Sequence, residues 1–235
     1  MDEIRAYLGE IIPGGIVLVS YGQYSLGWKI GVNFLKQELE NGGFGIIANF
    51  TVPFRKLVYR AGAVGLNLLE HGDKGSIAVI NGFKEPLVNH TFVYPFVEFD
   101  EETFSPKYKN IMRNLGRKYN FRDKRVVAMF ATLDALYEHF GGNFIKNMIS
   151  MYMSHTEKLI QEGREFYTIM LVNRDVIPEG LHSWLVGVSD YVILSKGFFE
   201  KGEFYENIVI LKSIEHGFNP IVFQIKALTI PKTLR

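Results

Sequence analysis

Short apolar runs recur along this chain, and their spacing constrains the fold more than any other feature. The first is residues 15–20 (GIVLVS), which follow the turn dipeptide Pro13-Gly14. A short continuous apolar run bounded by turn residues is typical of a strand buried on both faces of a parallel sheet. Further strands are predicted at residues 45–50, 76–81, 126–131, 167–173 and 191–195. Enough chain for a helix separates each run from the next, so the sequence predicts an α/β fold with a mostly parallel sheet flanked by helices.

Helical spacing identifies two of the connecting helices. Val32, Leu35 and Leu39 share one helical face, and Asn41-Gly42-Gly43 ends that helix with residues that tolerate positive φ. A longer helix is predicted after residues 141–142, capped by Asn143.

The last stretch of the chain has a different pattern. Residues 206–214 and 221–228 predict an antiparallel hairpin at the edge of the sheet. Since no linker, low-complexity tract or internal repeat interrupts the pattern, residues 1–235 are predicted to form a single domain.

Composition narrows the functional classes. Cysteine is absent, which excludes disulfide frameworks, thiolate nucleophiles and cysteine-ligated zinc. With a net charge of +1, the molecule as a whole is not a polycation that would attract nucleic acid. The chain opens Met-Asp-Glu without the basic and apolar regions of a signal peptide, and no apolar run is long enough to cross a membrane. We therefore expect a cytoplasmic protein with no membrane partner.

The order of these pieces resembles the KaiC-like branch of the RecA superfamily from about Ile12 to Leu228. Residues 13–20 look like that family's strand before the phosphate loop, and residues 33–42 look like the helix after it. Residues 125–136 lie where the family has its Walker B strand, and residues 168–173, 188–194 and 210–212 resemble later strands. Uncharacterised archaeal relatives of this branch, also without a phosphate loop, are the group that the chain most resembles. The resemblance implies a RecA-like sheet and, by analogy with rings and filaments of such domains, a homo-oligomer.

The loop after the first strand departs from the pattern that binds phosphate. That pattern is Gly, four residues, then Gly-Lys-Ser/Thr, whose N–H groups, lysine and hydroxyl hold the phosphates and magnesium. Residues 22–30 read GQYSLGWKI, so Gly22, Ser25 and Gly27 remain but Trp28 stands where the lysine belongs. Lys29 is one residue late, which on a helix is a rotation of about 100°. Residues 22–29 are therefore read as a degenerate nucleotide-binding loop.

Three more positions that the resemblance makes important for hydrolysis are also altered. Ala131 stands where the family has its magnesium-orienting aspartate, with Asp134 three residues later as a weak substitute. Asn49 occupies the region of the general base after the second strand. Lys212 is retained, but Ile214 replaces the arginine that follows it in the family. Losses at four separately required positions predict that the chain is not an ATPase and has no catalytic residue.

A basic segment is the other candidate site. Residues 107–125 carry eight cations against one acid, and Lys109, Arg113 and Arg117 form a candidate contact surface. Their helix also carries an apolar stripe, so a solvated or salt-bridged outer face is favoured over nucleic-acid binding. The acidic run at residues 98–102 is expected to neutralise part of this charge.

The histidines, the serines and an aromatic segment are expected to have structural roles. The six histidines lack a metal-ligand spacing, and no serine shows a sequence-evident base, so neither a metal site nor another enzyme is predicted. The aromatic segment at residues 92–99 is read as a loop folded over the core, with a partner-docking loop as the alternative.

Three functional hypotheses follow. The first is a non-catalytic binding or scaffold protein that self-associates or docks a protein partner, without a cofactor, its former nucleotide cleft filled by Tyr24, Trp28 and their neighbours. The second is a regulator that binds or hydrolyses ATP weakly through the two glycines of the loop and the displaced Lys29. The third is a repair or recombination accessory that holds DNA through residues 107–125.

Overall fold

A mixed sheet with helices on both faces organises the part of the chain that the computed structural model describes, residues 2–86 and 88–226. The strands are β1 (Ile16–Tyr21), β2 (Phe44–Asn49), β3 (Ile77–Asn81), β4 (Val93–Pro95), β5 (Val126–Phe130), β6 (Phe166–Asn173), β7 (Tyr191–Glu200), β8 (Glu203–Lys212) and β9 (Ile221–Lys226). The helices are α1 (Asp2–Leu8), α2 (Trp28–Glu40), α3 (Phe54–Gly62), α4 (Leu68–Asp73), α5 (Glu101–Tyr119), α6 (Leu133–Gln161) and α7 (Glu179–Val188), and a short 3₁₀ turn spans Phe121–Asp123.

The strand order confirms the predicted fold class. Across the described residues the sheet runs β4-β3-β2-β5-β6-β1-β7-β8-β9. The strands from β4 to β7 pair in parallel, while β7, β8 and β9 pair antiparallel. The chain is thus an α/β fold with a mostly parallel sheet and a C-terminal antiparallel part, as the apolar runs predicted.

Alternating side chains along each strand build two cores, one on each face of the sheet. On β1, Val17 and Val19 pack into one core with α2, α3 and α4, while Ile16 and Leu18 pack into the other with α5, α6 and α7. All four of these side chains are almost fully buried. This explains why the strand reads as a continuous apolar run, because neither face of a parallel sheet meets water.

The two predicted helices exist, with one correction. The first ends at Glu40 with Asn41 as its C-cap and Gly42 at φ +84°, as its turn residues predicted. The longer one begins at Leu133 and is broken at Gly141, where φ is 80° and ψ is 178°. A helical segment therefore starts directly after this glycine, as predicted, and Asn143 lies within that segment. The sequence predicts the part of α6 that follows the break at Gly141. It does not predict the turns from Leu133 to Phe140, which precede the break.

The antiparallel part of the sheet is larger than predicted. Strand β7 continues to Glu200, five residues past the predicted end, and returns as β8 through a tight turn at Lys201 and Gly202. Both turn residues have positive φ, 51° and 79°, which suits a two-residue hairpin. The predicted pairing of β8 with β9 is confirmed as far as Lys226, although β8 ends at Lys212, two residues before its predicted end. The predicted residues 227–228 lie outside the described part of the chain.

The aromatic segment packs on the core as favoured, but Val93–Pro95 within it form strand β4, so the segment is not a loop throughout. Phe92 and Phe96 are buried. Pro95 ends β4, which is the edge strand of the sheet. Proline is tolerated at such an edge because the N–H that it lacks is not needed for pairing with a further strand. No helix among the described residues is both long and apolar enough to pass through a bilayer.

Candidate functional site

The degenerate loop lies where a phosphate loop would lie. Strand β1 ends at Tyr21, residues 22–27 form the loop, and α2 begins at Trp28. The loop is a tight turn, because the Ser25 N–H donates to the carbonyl of Gly22 over 2.9 Å and the Gly22 N–H donates to the carbonyl of Ser195 over 3.2 Å. The strand, turn and helix therefore follow one another at the carboxyl edge of the parallel strands.

A buried carboxylate from β8 occupies the inside of this turn. Glu206 is only 5% exposed, and its Oε1 accepts the N–H of Leu26 over 2.7 Å. The same oxygen accepts the hydroxyl of Ser195 over 2.6 Å and also the hydroxyl of Ser25. Glu206 reaches the loop because β8 lies beside β7, with Glu206 opposite Gly197. One oxygen thus holds three donors, two of them from the loop itself.

Two further N–H groups of the loop are also bonded to side chains. The Gln23 N–H donates to Oδ2 of Asp175 over 2.8 Å, and the Gly27 N–H donates to the hydroxyl of Ser25 over 2.9 Å. Asp175 follows β6, so it approaches the loop from the side opposite to Glu206.

These contacts decide what the loop can do chemically. A phosphate loop works because its N–H groups are free to surround an anion. Here the N–H groups of Gln23, Leu26 and Gly27 already donate to oxygens of the protein. A phosphate at this place would also meet the carboxylates of Glu206 and Asp175, and two like charges about 4 Å apart repel by roughly 4 kcal/mol near a protein surface.

The side chains at the start of α2 do not restore a cation for phosphate. The Lys29 ammonium lies 5.8 Å from the ring centre of Trp28, and the guanidinium of Arg60 lies 5.9 Å from it, so both cations contact the indole. Trp28 is half-buried. Tyr24 is 65% exposed and points to solvent, which corrects the expectation that Tyr24 helps to fill the cleft.

The space at the carboxyl ends of β1, β2, β5 and β6 is nearly full. Trp28, Asn49, Arg60 and Ala131 line a cavity of about 30 Å³. Sites that enclose organic ligands hold roughly 300–1,000 Å³, so this one has no room for a nucleotide. The cleft is filled by Trp28 together with α3, which the sequence hypothesis did not name.

The positions expected to orient magnesium and to act as the general base carry other contacts. Asn49 is buried and donates from its amide to the carbonyl of Val52 over 2.8 Å and to Oδ1 of Asn81 over 2.7 Å. Asp134 accepts the N–H of Asn173 over 3.2 Å, and burial raises the pKa of its carboxyl. In the described part of the chain, no group of three or more metal-ligating side chains comes together.

Lys212 has a local structural contact. Its ammonium donates to the carbonyls of Gly187 and Ser189 at the end of α7. A cation at the C-terminal end of a helix donates to free carbonyls and interacts favourably with the negative end of the helix dipole. Ile214 is 44% exposed.

The basic surface forms one wall of a groove. Lys109, Arg113 and Arg117 lie on the outer face of α5, while Met112 and Leu115 of the same helix are buried. The groove has a volume of about 570 Å³ and lies at the amino ends of β5 and β6, at the opposite sheet edge from the loop. None of the three cations forms a salt bridge with another described residue, so the acidic run at residues 98–102 does not neutralise them.

Comparison with known proteins identifies the architecture. No protein-family model and no curated protein matches the sequence. Among solved structures, the chain is similar to KaiC-like protein PH0186 from Pyrococcus horikoshii OT3, with a TM-score of 0.61, 11% identity, and coverage of 90% of this chain and 85% of that one. The fold is KaiC-like.

A second similar structure spans almost the whole of both chains. It is the uncharacterised protein PH0321 from Pyrococcus horikoshii, solved in complex with an unknown peptide. Its TM-score is 0.74 at 13% identity, covering 96% of this chain and 98% of that one. At such identity the likeness shows a common KaiC-like fold.

The residues that close the loop were missed from sequence. The sequence pattern places Glu206 only at the start of a hairpin strand and does not identify Asp175 or Ser195 as functional residues. One signal was available: Glu206 has the same parity as Ile208 and Ile210, which are both buried. A carboxylate on the inward face of a strand needs a partner, because an unpaired buried charge is costly.

Proposed function

We propose that this chain is a non-catalytic KaiC-like domain that acts by binding a segment of another protein. The observation that carries the proposal is the Glu206 carboxylate inside the loop, where it accepts the Leu26 N–H over 2.7 Å. A loop whose donors are already used offers no electrostatic stabilisation to a transferring phosphoryl group, on which this chemistry depends.

The remaining machinery supports the same conclusion. Lys29 lies against Trp28, Asn49 is bonded to Asn81, and Ala131 has no ligand atom. Each of these positions would have to be rebuilt before the domain could hold magnesium and phosphate.

The kind of ligand is suggested by the similar structure PH0321, which is described in complex with an unknown peptide. We extend peptide binding to this chain as a proposal, supported by a match over nearly the full length of both proteins. Binding to a second copy of the chain, as RecA-like domains commonly do, is the related alternative.

Two other functions remain to be tested against this one. A weak nucleotide-dependent regulator would need the loop at residues 22–29 to release Glu206 and turn Lys29 toward phosphate. A DNA accessory would need residues 107–125 to bind polyanions of any sequence with a steep dependence on salt.

Phosphate release from Mg-ATP and Mg-GTP tests the proposal directly. We expect the wild-type protein to release no more phosphate than the Lys29→Ala variant, which removes the cation displaced by one position from the phosphate-binding lysine. Saturable release by the wild type that is lost in Lys29→Ala would overturn the proposal and place the regulator first.

A further inference from the structure

A groove lies between α5 and the end of α6, and several cationic side chains line it. Its volume is about 570 Å³, within the range of roughly 300–1,000 Å³ for sites that enclose organic ligands. Four cationic side chains and one carboxylate, Glu165, line it. The cations are Lys109, Arg113, Arg117 and Arg164.

The floor of the groove is apolar. Met112, Phe121, Val126 and Phe166 are buried side chains that line it below the cations. A ligand that fits must therefore combine negative charges at the rim with an apolar group at the centre.

The cations of the α5 wall are available to a ligand. Lys109, Arg113 and Arg117 are exposed and spaced four residues apart, so they project from one face of the helix. They form no salt bridge with any residue that the structure describes, whereas Arg164 pairs with Glu162 over 3.1 Å. The positive field also reaches His155, whose pKa is lowered by burial and by the nearby Lys109 and Lys158.

One residue of the helix wall, Gly116, has no side chain that could fill the groove. Gly116 lies inside α5, where glycine costs about 1 kcal/mol relative to alanine. The fold itself does not require it, because a Cβ at this position would lie 3.6 Å from Phe121, an ordinary contact. Since Gly116 lines the groove, the missing side chain leaves space at its floor.

We propose that this groove binds an acidic peptide segment of a partner protein, with an apolar side chain over Gly116 and carboxylates on Lys109, Arg113 and Arg117. The proposal rests on the proposed function as a peptide-binding domain and names the site and the ligand chemistry. Carboxylates suit the arginines, which bind them through paired N–H groups.

Other occupants fit less well. Single-stranded nucleic acid needs exposed aromatic rings for stacking, but the two phenylalanines of the groove, Phe121 and Phe166, are 6% and 3% exposed. The chain's own acidic run cannot supply the ligand in an extended form, because Asp100 caps α5 through Thr103 and Glu101 and Glu102 lie in its first turn.

Fluorescence polarisation with a set of labelled seven-residue peptides tests the proposal. The central residue is Leu, Ile, Met, Phe or Trp, and the flanking residues are either Asp and Glu or their amides Asn and Gln. We expect acidic peptides with a preferred central residue to bind, and their amide counterparts to bind about tenfold more weakly or not at all.

Variants assign that binding to the groove. Arg113→Glu and Arg117→Glu are each expected to weaken binding about tenfold, while Lys56→Glu, an exposed charge reversal on α3 across the sheet, leaves it unchanged. Gly116→Leu is expected to weaken binding without lowering the melting temperature, because it fills the groove and improves helix propensity.

Each contrary result has a distinct meaning. If no acidic peptide binds, or if amide peptides bind equally well and Arg113→Glu has no effect, this assignment of the groove is wrong while a peptide site elsewhere still satisfies the proposed function. Tighter binding of oligo-dT than of any acidic peptide would overturn the assignment in favour of nucleic acid. Mg-ATP turnover would instead refute the proposed function itself.

Discussion

Replacing Glu206 tests how the loop is closed. Glu206→Ala removes the acceptor of the Leu26 N–H and of the hydroxyls of Ser25 and Ser195. A hydrogen bond to a charged group contributes about 1.5–3 kcal/mol, and leaving a buried neutral donor without a partner costs about 1–3 kcal/mol. The two hydroxyls lie 2.9 Å apart and can bond each other in the variant, so part of the loss is recovered.

The expected net loss of stability is about 3 kcal/mol, chiefly from the unpaired Leu26 N–H and the cavity left by the side chain. For a domain of this size each kcal/mol lowers the melting temperature by roughly 2–4 °C, so a decrease of about 6–12 °C is expected. Glu206→Gln keeps one acceptor oxygen and should lose about half as much. Thermal unfolding followed by circular dichroism measures both.

Glu200→Ala is the matched control, because Glu200 is exposed on the same hairpin. Its effect should stay within about 0.5 kcal/mol. Sodium acetate should stabilise Glu206→Ala more than Glu200→Ala, since only the first variant has free donors that a dissolved carboxylate can occupy. If the two variants melted at the same temperature, Glu206 would not hold the loop, and the argument for a closed phosphate site would fail.

Two further predictions concern the packing around the loop and the pH dependence of the protein's stability. Gly197→Ala should destabilise the fold, because its Cβ would lie 2.4 Å from the carbonyl oxygen of Tyr24. The control Gly180→Ala has open space around its Cβ and should be neutral or stabilising. Urea unfolding compares the two variants, and equal midpoints would contradict the close contact at Gly197. Burial, and then Arg174, lower the pKa of His182 below its ordinary value near 6.5, and its ring bonds the buried hydroxyl of Ser20 over 2.8 Å. Because the unfolded chain then binds more protons than the folded protein, the free energy of unfolding should fall as the pH drops through 6.5. The fall should be less steep in His182→Gln. Equal slopes of stability against pH in the two proteins would count against this role.

The parallel part of the fold could be predicted because each buried strand appears as a short apolar run of adjacent residues in the sequence. Residues 16–19 are all apolar because both faces of β1 are covered, and that pattern needs no knowledge of distant residues. The turn at Lys201 and Gly202 gave a weaker signal, since positive φ at a lysine is uncommon and sequence alone does not require it.

The closed loop could be predicted only in part. The loss of the phosphate lysine is visible in the order of Gly27, Trp28 and Lys29. Its replacement by an internal carboxylate depends on a contact between residues 26 and 206, which is set by the register of β8 on β7. The sequence shows that the phosphate-binding lysine is missing, while the structure shows that the Glu206 carboxylate accepts a hydrogen bond from the loop in place of a phosphate.

Calorimetric titration of the wild-type protein with Mg-ATP and with ADP tests the central claim most directly. The account predicts no saturable heat at millimolar nucleotide and no rise in melting temperature, because Glu206 and Asp175 already occupy the donors of the loop. A ligand present at ~100 times its dissociation constant would add roughly 2.7 kcal/mol of stability, so binding would be easy to detect. Saturable binding that disappears in Lys29→Ala would contradict the account.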